Sequence, residues 1–157
     1  MIRVGTGWDL HRLVPDRPLV IGGLTIPSPK GALAHSDGDV LVHALIDAIL
    51  GALAKGDIGS HFPDTDPAYR GADSMELLKT VIEEELPPYS ITNIDATIIL
   101  QTPKLREHID AIRENLSKAL NLPLEAISVK AKTAEHVLGE LGSGDAISAQ
   151  VSLLISG

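Results

Sequence analysis

Between Asp39 and Leu53 the chain sets Val40, Ala44, Leu45, Ile46, Ala48, Ile49 and Ala52 at helical spacing, over faces broad enough to demand cover. A helix of that kind needs layers around it, and strand-like sequence on either side can supply them. Residues 2–7 and 19–27 are rich in Ile, Val and Leu and are broken by Gly5, Gly7 and Gly22-Gly23, which predicts two or three short strands joined by turns. Pro15 and Pro18 frame the loop between them. A second helix is expected over about 74–84, with Leu77, Leu78, Val81 and Ile82 inward and a stop before Pro87-Pro88. A third is expected over about 105–120, with Ile109, Ile112, Leu116 and Ala119 on one side. Strands are expected at 94–100, 126–132 and 146–155, the last two around a Gly-rich loop at 139–144. Residues 55–73, dense in Gly, Pro and Asp, read as one long loop, a length that usually marks function. The order of elements predicts an α+β fold.

Composition narrows the function. With 13 Lys+Arg against 21 Asp+Glu the formal charge is −8, which opposes a nucleic-acid partner, since that affinity rests on clustered cations. The four aromatics, Trp8, Phe62, Tyr69 and Tyr89, are scattered and form no base-stacking platform. No cysteine is present, which removes disulfides, thiol nucleophiles and thiolate metal sites. No apolar run reaches the ~18–20 residues of a membrane helix. Met1-Ile2-Arg3-Val4 runs directly into strand-like sequence without a basic leader, so a cytoplasmic protein is expected.

Within this acidic chain, Asp9 and His11 stand at i and i+2. On an extended strand they project from one side, as a carboxylate and an imidazole able to share one ion. A loop Asp beside a surface His is the plainer account of such a pair. His43 sits inside the apolar helix, where a His is ordinarily a satisfied core residue. Asp39 and Asp47 flank it at i−4 and i+4, and either could accept the second N–H of a metal-bound imidazole. Asp9, His11 and His43 together would leave a fourth tetrahedral position open. His35 and Ser36 precede the helix, where Ser36, Asp37 or Asp39 could cap its start and a phosphate could meet free N–H groups. Asp57, Asp64 and Asp66 on the long loop could accept from hydroxyls or hold a divalent ion, or simply shape turns. Lys132-Thr133-Ala134-Glu135 closes a strand with a cation, a hydroxyl and a carboxylate, a mix suited to a phosphate and its metal.

Order and spacing say more than any single motif. Gly5-x-Gly7-Trp8-Asp9-Leu10-His11, Ile21-Gly22-Gly23, Ala34-His35-Ser36-Asp37-Gly38-Asp39-x-x-x-His43, Gly56-Asp57-Ile58-Gly59-x-x-Phe62-Pro63-Asp64-Thr65-Asp66, Pro103-Lys104 and Val129-Lys130-Ala131-Lys132-Thr133-Ala134-Glu135 resemble the 2-C-methyl-D-erythritol 2,4-cyclodiphosphate synthase family across essentially the whole chain. The resemblance implies one domain over 1–157, with a mixed β-sheet, helices on one face, and a homotrimer whose sheets pack around a central axis with active sites between neighbours. It implies cyclisation of 4-diphosphocytidyl-2-C-methyl-D-erythritol 2-phosphate with release of CMP, in isoprenoid biosynthesis. Asp9, His11 and His43 match the zinc ligands. Glu135 matches the ligand of a second cation, Mg²⁺ or Mn²⁺, and His35 and Thr133 match the positions that stabilise the transition state. Leu100, Gln101, Thr102, Pro103, Lys104, Leu105 and Arg106, with Lys132, Thr133, Ala134 and Glu135, match the cytidine pocket. Asp57, Ile58 and Gly59 match the loop that holds the methylerythritol, and Phe62, Pro63, Asp64, Thr65 and Asp66, with Asp9, His11, His35 and Ser36, complete the substrate contacts. After Glu135 the family's Gly-Phe-x-Gly-Arg-x-Glu-Gly is replaced by His136-Val137-Leu138-Gly139-Glu140-Leu141-Gly142-Ser143-Gly144-Asp145, without the aromatic or the Arg. Residue chemistry alone also accommodates a zinc phosphoesterase or a non-catalytic metal-binding trimer.

Overall fold

The longest strand, β1 (Ile2–Pro15), alternates outward residues with Gly5, Gly7, Asp9, His11 and Leu13 on the other face. It runs on to Pro15, beyond the 2–7 that the sequence predicts, because Arg12 to Pro15 pair with the edge strand β4 (Lys30–Leu33). That strand is too short and Gly-broken to be read from pattern. Between them lies a small separate hairpin, β2 (Leu19–Ile21) and β3 (Leu24–Ile26). The helix α1 (Val40–Ala52) follows, then a one-turn α2 (Ile58–His61), a single 3-10 turn at Pro67–Tyr69, and α3 (Ser74–Glu84). The segment 55–73 is therefore a chain of capped turns, not a structureless loop, with Asp57 and Asp66 each accepting from the backbone they cap. Next come β5 (Ser90–Leu100), a 3-10 turn (Arg106–His108) leading into α4 (Ile109–Leu120), β6 (Ile127–Lys132), a one-turn α5 (Glu140–Ser143) inside the Gly-rich loop, and β7 (Ala146–Ser156). The computed structural model describes residues 1–157.

Five strands form one mixed sheet in the order β4-β1-β7-β5-β6, parallel only between β5 and β6, which α4 connects. Helices cover one face. On it the alternation of Ile147, Ala149, Val151, Leu153 and Ile155 in β7 and Ile94, Ala96, Ile98 and Leu100 in β5 builds a continuous apolar surface. Helix α1 lies on that surface with 11 of its 13 residues buried, so it is enclosed by sheet on one side and α3 on the other. The opposite sheet face has no cover. Val4 is 67% exposed, Trp8 59% and Leu10 44%, in line with Gln150 and Ser152.

Two glycines set how near the helix comes to the sheet. A Cβ on Gly5 would stand 1.9 Å from Ala48 O, and one on Gly7 would stand 1.9 Å from Ala44 O. Strand and helix backbones are thus in direct contact there, and any larger residue would hold them apart. At its start, α1 is capped by Asp39, whose fully buried carboxylate accepts from Val42 N at 3.1 Å, Gly22 N at 2.9 Å and Gly23 N at 2.7 Å. The same carboxylate thereby ties the β2–β3 turn to the helix. Burial pushes its pKa up to about 6, although the N–H groups of Gly23, Val42 and Gly22 oppose that rise. The anion that meets Val42 N at this helix terminus is the protein's own carboxylate.

Candidate metal centre

Asp9 and His11 leave β1 on its helix-facing side, and His43 comes down from α1 between them. Asp9 Oδ2 lies 2.9 Å from His11 Nε2 and 3.0 Å from His43 Nδ1, and the two imidazole nitrogens lie 3.2 Å apart. Tetrahedral zinc with ligand bonds of 2.0–2.1 Å sets its donor atoms about 3.3 Å apart, so the triangle admits such an ion after moves of a few tenths of an ångström. One carboxylate and two imidazoles are also a donor set that suits a divalent metal. Burial works against the charge on Asp9, but hydrogen bonds from His11 and His43 and their charges outweigh it and hold the carboxyl at about 2. Burial likewise disfavours charged His43, and the Asp9 carboxylate prevails, raising its pKa above 6.5.

The centre forms the floor of a cavity of about 640 Å³. His35, Ser36, Ile58, Gly59, Phe62, Pro63 and Asp64 line it, as the sequence suggested, joined by Leu33, Tyr69 and Leu77, which it did not. Phe62 and Tyr69 meet edge to face at 5.4 Å and make an apolar wall. His35 Nε2 lies 3.1 Å from Asp66 O, and Gly71 N donates to His35 O at 2.7 Å, which folds the 62–71 segment over the centre. Asp57 caps α2 through Ser60 N at 2.9 Å, and Thr65 lies on the same turn system outside the cavity lining. Asp47, one turn beyond His43, accepts from Ile58 N at 2.7 Å and anchors the start of that segment. Burial raises the Asp47 pKa against the pull of that N–H.

A second cavity, about 270 Å³, opens at the C-terminal ends of β5 and β6 and is lined by Leu100, Gln101, Lys104, Leu105, Arg106, Lys132 and Thr133. Gln101 Oε1 accepts from Ala134 N and His136 N, and Glu135 N donates to Thr133 Oγ1. Glu135 itself is exposed, and Thr102 and Pro103 lie on the turn between the lining residues. Within one chain, then, the sequence-derived site residues divide into a metal half and a basic half.

One expectation fails. Neither Asp39 nor Asp47 takes the second nitrogen of His43, because Gly22, Gly23 and Val42 hold the first carboxylate and Ile58 the second. His43 Nε2 instead lies 2.7 Å from Ser74 Oγ and 3.2 Å from Ser36 Oγ. Ser74 opens α3, and Asp73-Ser74 before an apolar run reads from sequence as a helix start and nothing more.

The YgbB family model matches residues 2–156. A 2-C-methyl-D-erythritol 2,4-cyclodiphosphate synthase of Clostridium perfringens is 56% identical over 155 residues, spanning 98% of this chain and 99% of that protein. The bifunctional IspDF of Campylobacter jejuni superposes with a TM-score of 0.93 at 40% identity over 99% of this chain, which spans 42% of that longer protein. A solved 2C-methyl-D-erythritol-2,4-cyclodiphosphate synthase in its CDP-bound form matches with a TM-score of 0.89 and 41% identity, over 98% of this chain and all of that one.

Proposed function

The chain belongs to the YgbB family of 2-C-methyl-D-erythritol 2,4-cyclodiphosphate synthases, and we propose that Asp9, His11 and His43 hold the zinc ion of that reaction. The reaction closes 4-diphosphocytidyl-2-C-methyl-D-erythritol 2-phosphate into a cyclic diphosphate in isoprenoid precursor biosynthesis. An oxygen of the 2-phosphate forms a bond to the β-phosphorus, the bridge to the α-phosphorus breaks, and CMP departs with the electron pair. Convergence of three ligand atoms within 3.2 Å at a cavity floor carries the reading.

Both reacting groups are anions, and a bound divalent ion supplies the charge neutralisation and in-line orientation that such a pair requires. The attacking phosphate is already ionised, so no strong general base is needed. His35 and Ser36, on the cavity rim, stand where the phosphoryl oxygens gain charge. Asp57, Ile58 and Gly59 contribute the turn that receives the methylerythritol, and the Phe62–Tyr69 wall excludes water from it. Holding both ends of one substrate turns ring closure into a matter of proximity.

Leu100 to Arg106 and Lys132 to Glu135 receive the cytidine diphosphate half, with Thr133 as the second transition-state contact and Glu135 as ligand of Mg²⁺ or Mn²⁺. Lys104, Arg106 and Lys132 bring the cations that a departing CMP calls for. A homotrimer packed through the open sheet face of Val4, Trp8 and Leu10 would join the metal half of one copy to the basic half of the next. No helix is long and apolar enough to cross a membrane, and we place the enzyme in the cytoplasm.

Phosphorus NMR on the purified, zinc-loaded protein with the cytidyl substrate tests the reading. CMP and a cyclic diphosphate are expected. Inorganic phosphate would mean hydrolysis and would replace the cyclase reading with a zinc phosphoesterase.

A further inference from the structure

We infer that Ser74 and Asp37 are positioning residues that fix which nitrogen of His43 faces the metal centre, and so tune how tightly that centre binds. This rests on the reading of Asp9, His11 and His43 as the ligand set. The argument is one of hydrogen-bond supply. Asp37 accepts from Asp39 N at 3.1 Å and Ser74 N at 3.0 Å, and its Oδ1 also takes a short hydrogen bond from Ser74 Oγ. A carboxylate only accepts, and a serine hydroxyl has a single proton to give. With that proton committed to Asp37, Ser74 presents only lone pairs to His43 Nε2 at 2.7 Å. Ser36 Oγ, 3.2 Å from the same nitrogen, accepts from Gly38 N and is the longer contact. The 2.7 Å contact to Ser74 governs, so Nε2 carries a proton and Nδ1, 3.0 Å from Asp9 Oδ2, is the nitrogen left to bind metal.

Ser74 has no solvent exposure and His43 only 8%, so water does not compete for these contacts. The relay is braced by backbone at both ends. Asp37 N donates to Ala72 O at 3.0 Å and Gly71 N to His35 O at 2.7 Å, so segments 35–37 and 71–74 are joined beside the imidazole. Acceptors of this kind hold a ligating imidazole in one tautomer and orientation, and their loss typically costs 10–100-fold in metal affinity.

Chelator-competition zinc titrations and 15N-histidine spectra on the full chain test the inference with wild type, Ser74→Ala, Ser74→Thr and Asp37→Asn. In the zinc-loaded wild type the His43 proton is expected on Nε2 and slow to exchange with solvent. Ser74→Ala should speed that exchange and weaken zinc about 10–100-fold, and Ser74→Thr, which keeps the hydroxyl, should recover most of the loss. Asp37→Asn should weaken zinc as well, since an amide cannot accept at both of its ends. A His43 Nε2 that carries no proton would overturn the relay. So would zinc affinity within about twofold of wild type in both Ser74→Ala and Asp37→Asn, or losses no larger than the fall in stability of the metal-free chain. Wild-type protein that binds no zinc would instead overturn the ligand-set reading, and the proton position in the metal-free spectra would still decide on the relay.

Discussion

Replacing Gly7 by Ala asks whether the metal centre depends on backbone contact between β1 and α1. The new Cβ would stand 1.9 Å from Ala44 O, 2.8 Å from Ala48 N and 2.9 Å from Ala44 C. Carbon–oxygen contacts of this sort begin near about 3.3 Å, so strand and helix must part by roughly 1.4 Å. All three obstructing atoms are backbone, and no side chain can turn aside. His43 immediately precedes Ala44, and Asp9 lies two residues from Gly7 on the same strand face. Metal–ligand distances tolerate only about ±0.2 Å, several times less than that displacement. Zinc affinity should therefore fall at least about 100-fold, or ~2.7 kcal/mol, and stability by about 1–3 kcal/mol. The control is Gly51→Ala on the same helix, where the nearest atom is Thr6 O at 3.6 Å and the added Cβ should raise stability by up to about 1 kcal/mol. Denaturant unfolding in chelator gives the stability terms, and competition titration gives the zinc constants. A folded Gly7→Ala protein that binds zinc within about threefold of wild type would refute the link between close packing and ligand geometry.

In the metal-free chain, Asp9 is held at about 2 against an ordinary 3.8, so its pairing with the two imidazoles stabilises fully above pH 3.8 and is lost as pH falls through about 2. That amounts to about 2 kcal/mol, and Asp9→Asn should remove this acid-sensitive part from the pH profile of urea unfolding; parallel profiles would contradict the pairing. Asp9→Asn and Lys104→Ala should each be inactive alone and complement on mixing. If each site takes its metal half from one copy and its basic half from the next, about a quarter of the sites in randomly mixed trimers are whole. Activity no higher than the separate variants, after subunit exchange is verified, would place the complete site within one chain.

The helices α1 and α3 lie within a residue or so of where their apolar repeats put them, α3 stopping before Pro87-Pro88, whereas α4 begins at Ile109, four residues later than its repeat suggests, because residues 106–108 wind as a 3-10 turn. Asp9 and His11 were legible because strand alternation alone puts i and i+2 on one side. What escaped depends on contacts distant in sequence. β4 has four residues and no pattern of its own, and becomes a strand only because β1 offers it an edge. The partner of His43 Nε2 was misread for the same reason: local spacing nominates Asp39 and Asp47, whereas folding brings Ser74 from 31 residues away. The turns inside 55–73 were hidden because each is short and held by its own Asp cap, without periodicity to betray it.

The pairing of β1 with β7 also governs when the centre can come into being. These two strands are neighbours in the middle of the sheet, yet Ser148 Oγ donates to Asp9 O across 139 residues of chain. A long loop must close before that contact forms, which slows folding relative to proteins of local contacts. On a chain emerging from the ribosome, Asp9 and His11 are made early but wait for the last strand to brace them. Ion capture at full affinity is thus a late event in the life of each molecule, and a C-terminal truncation within β7 should cost the metal before it costs the helices.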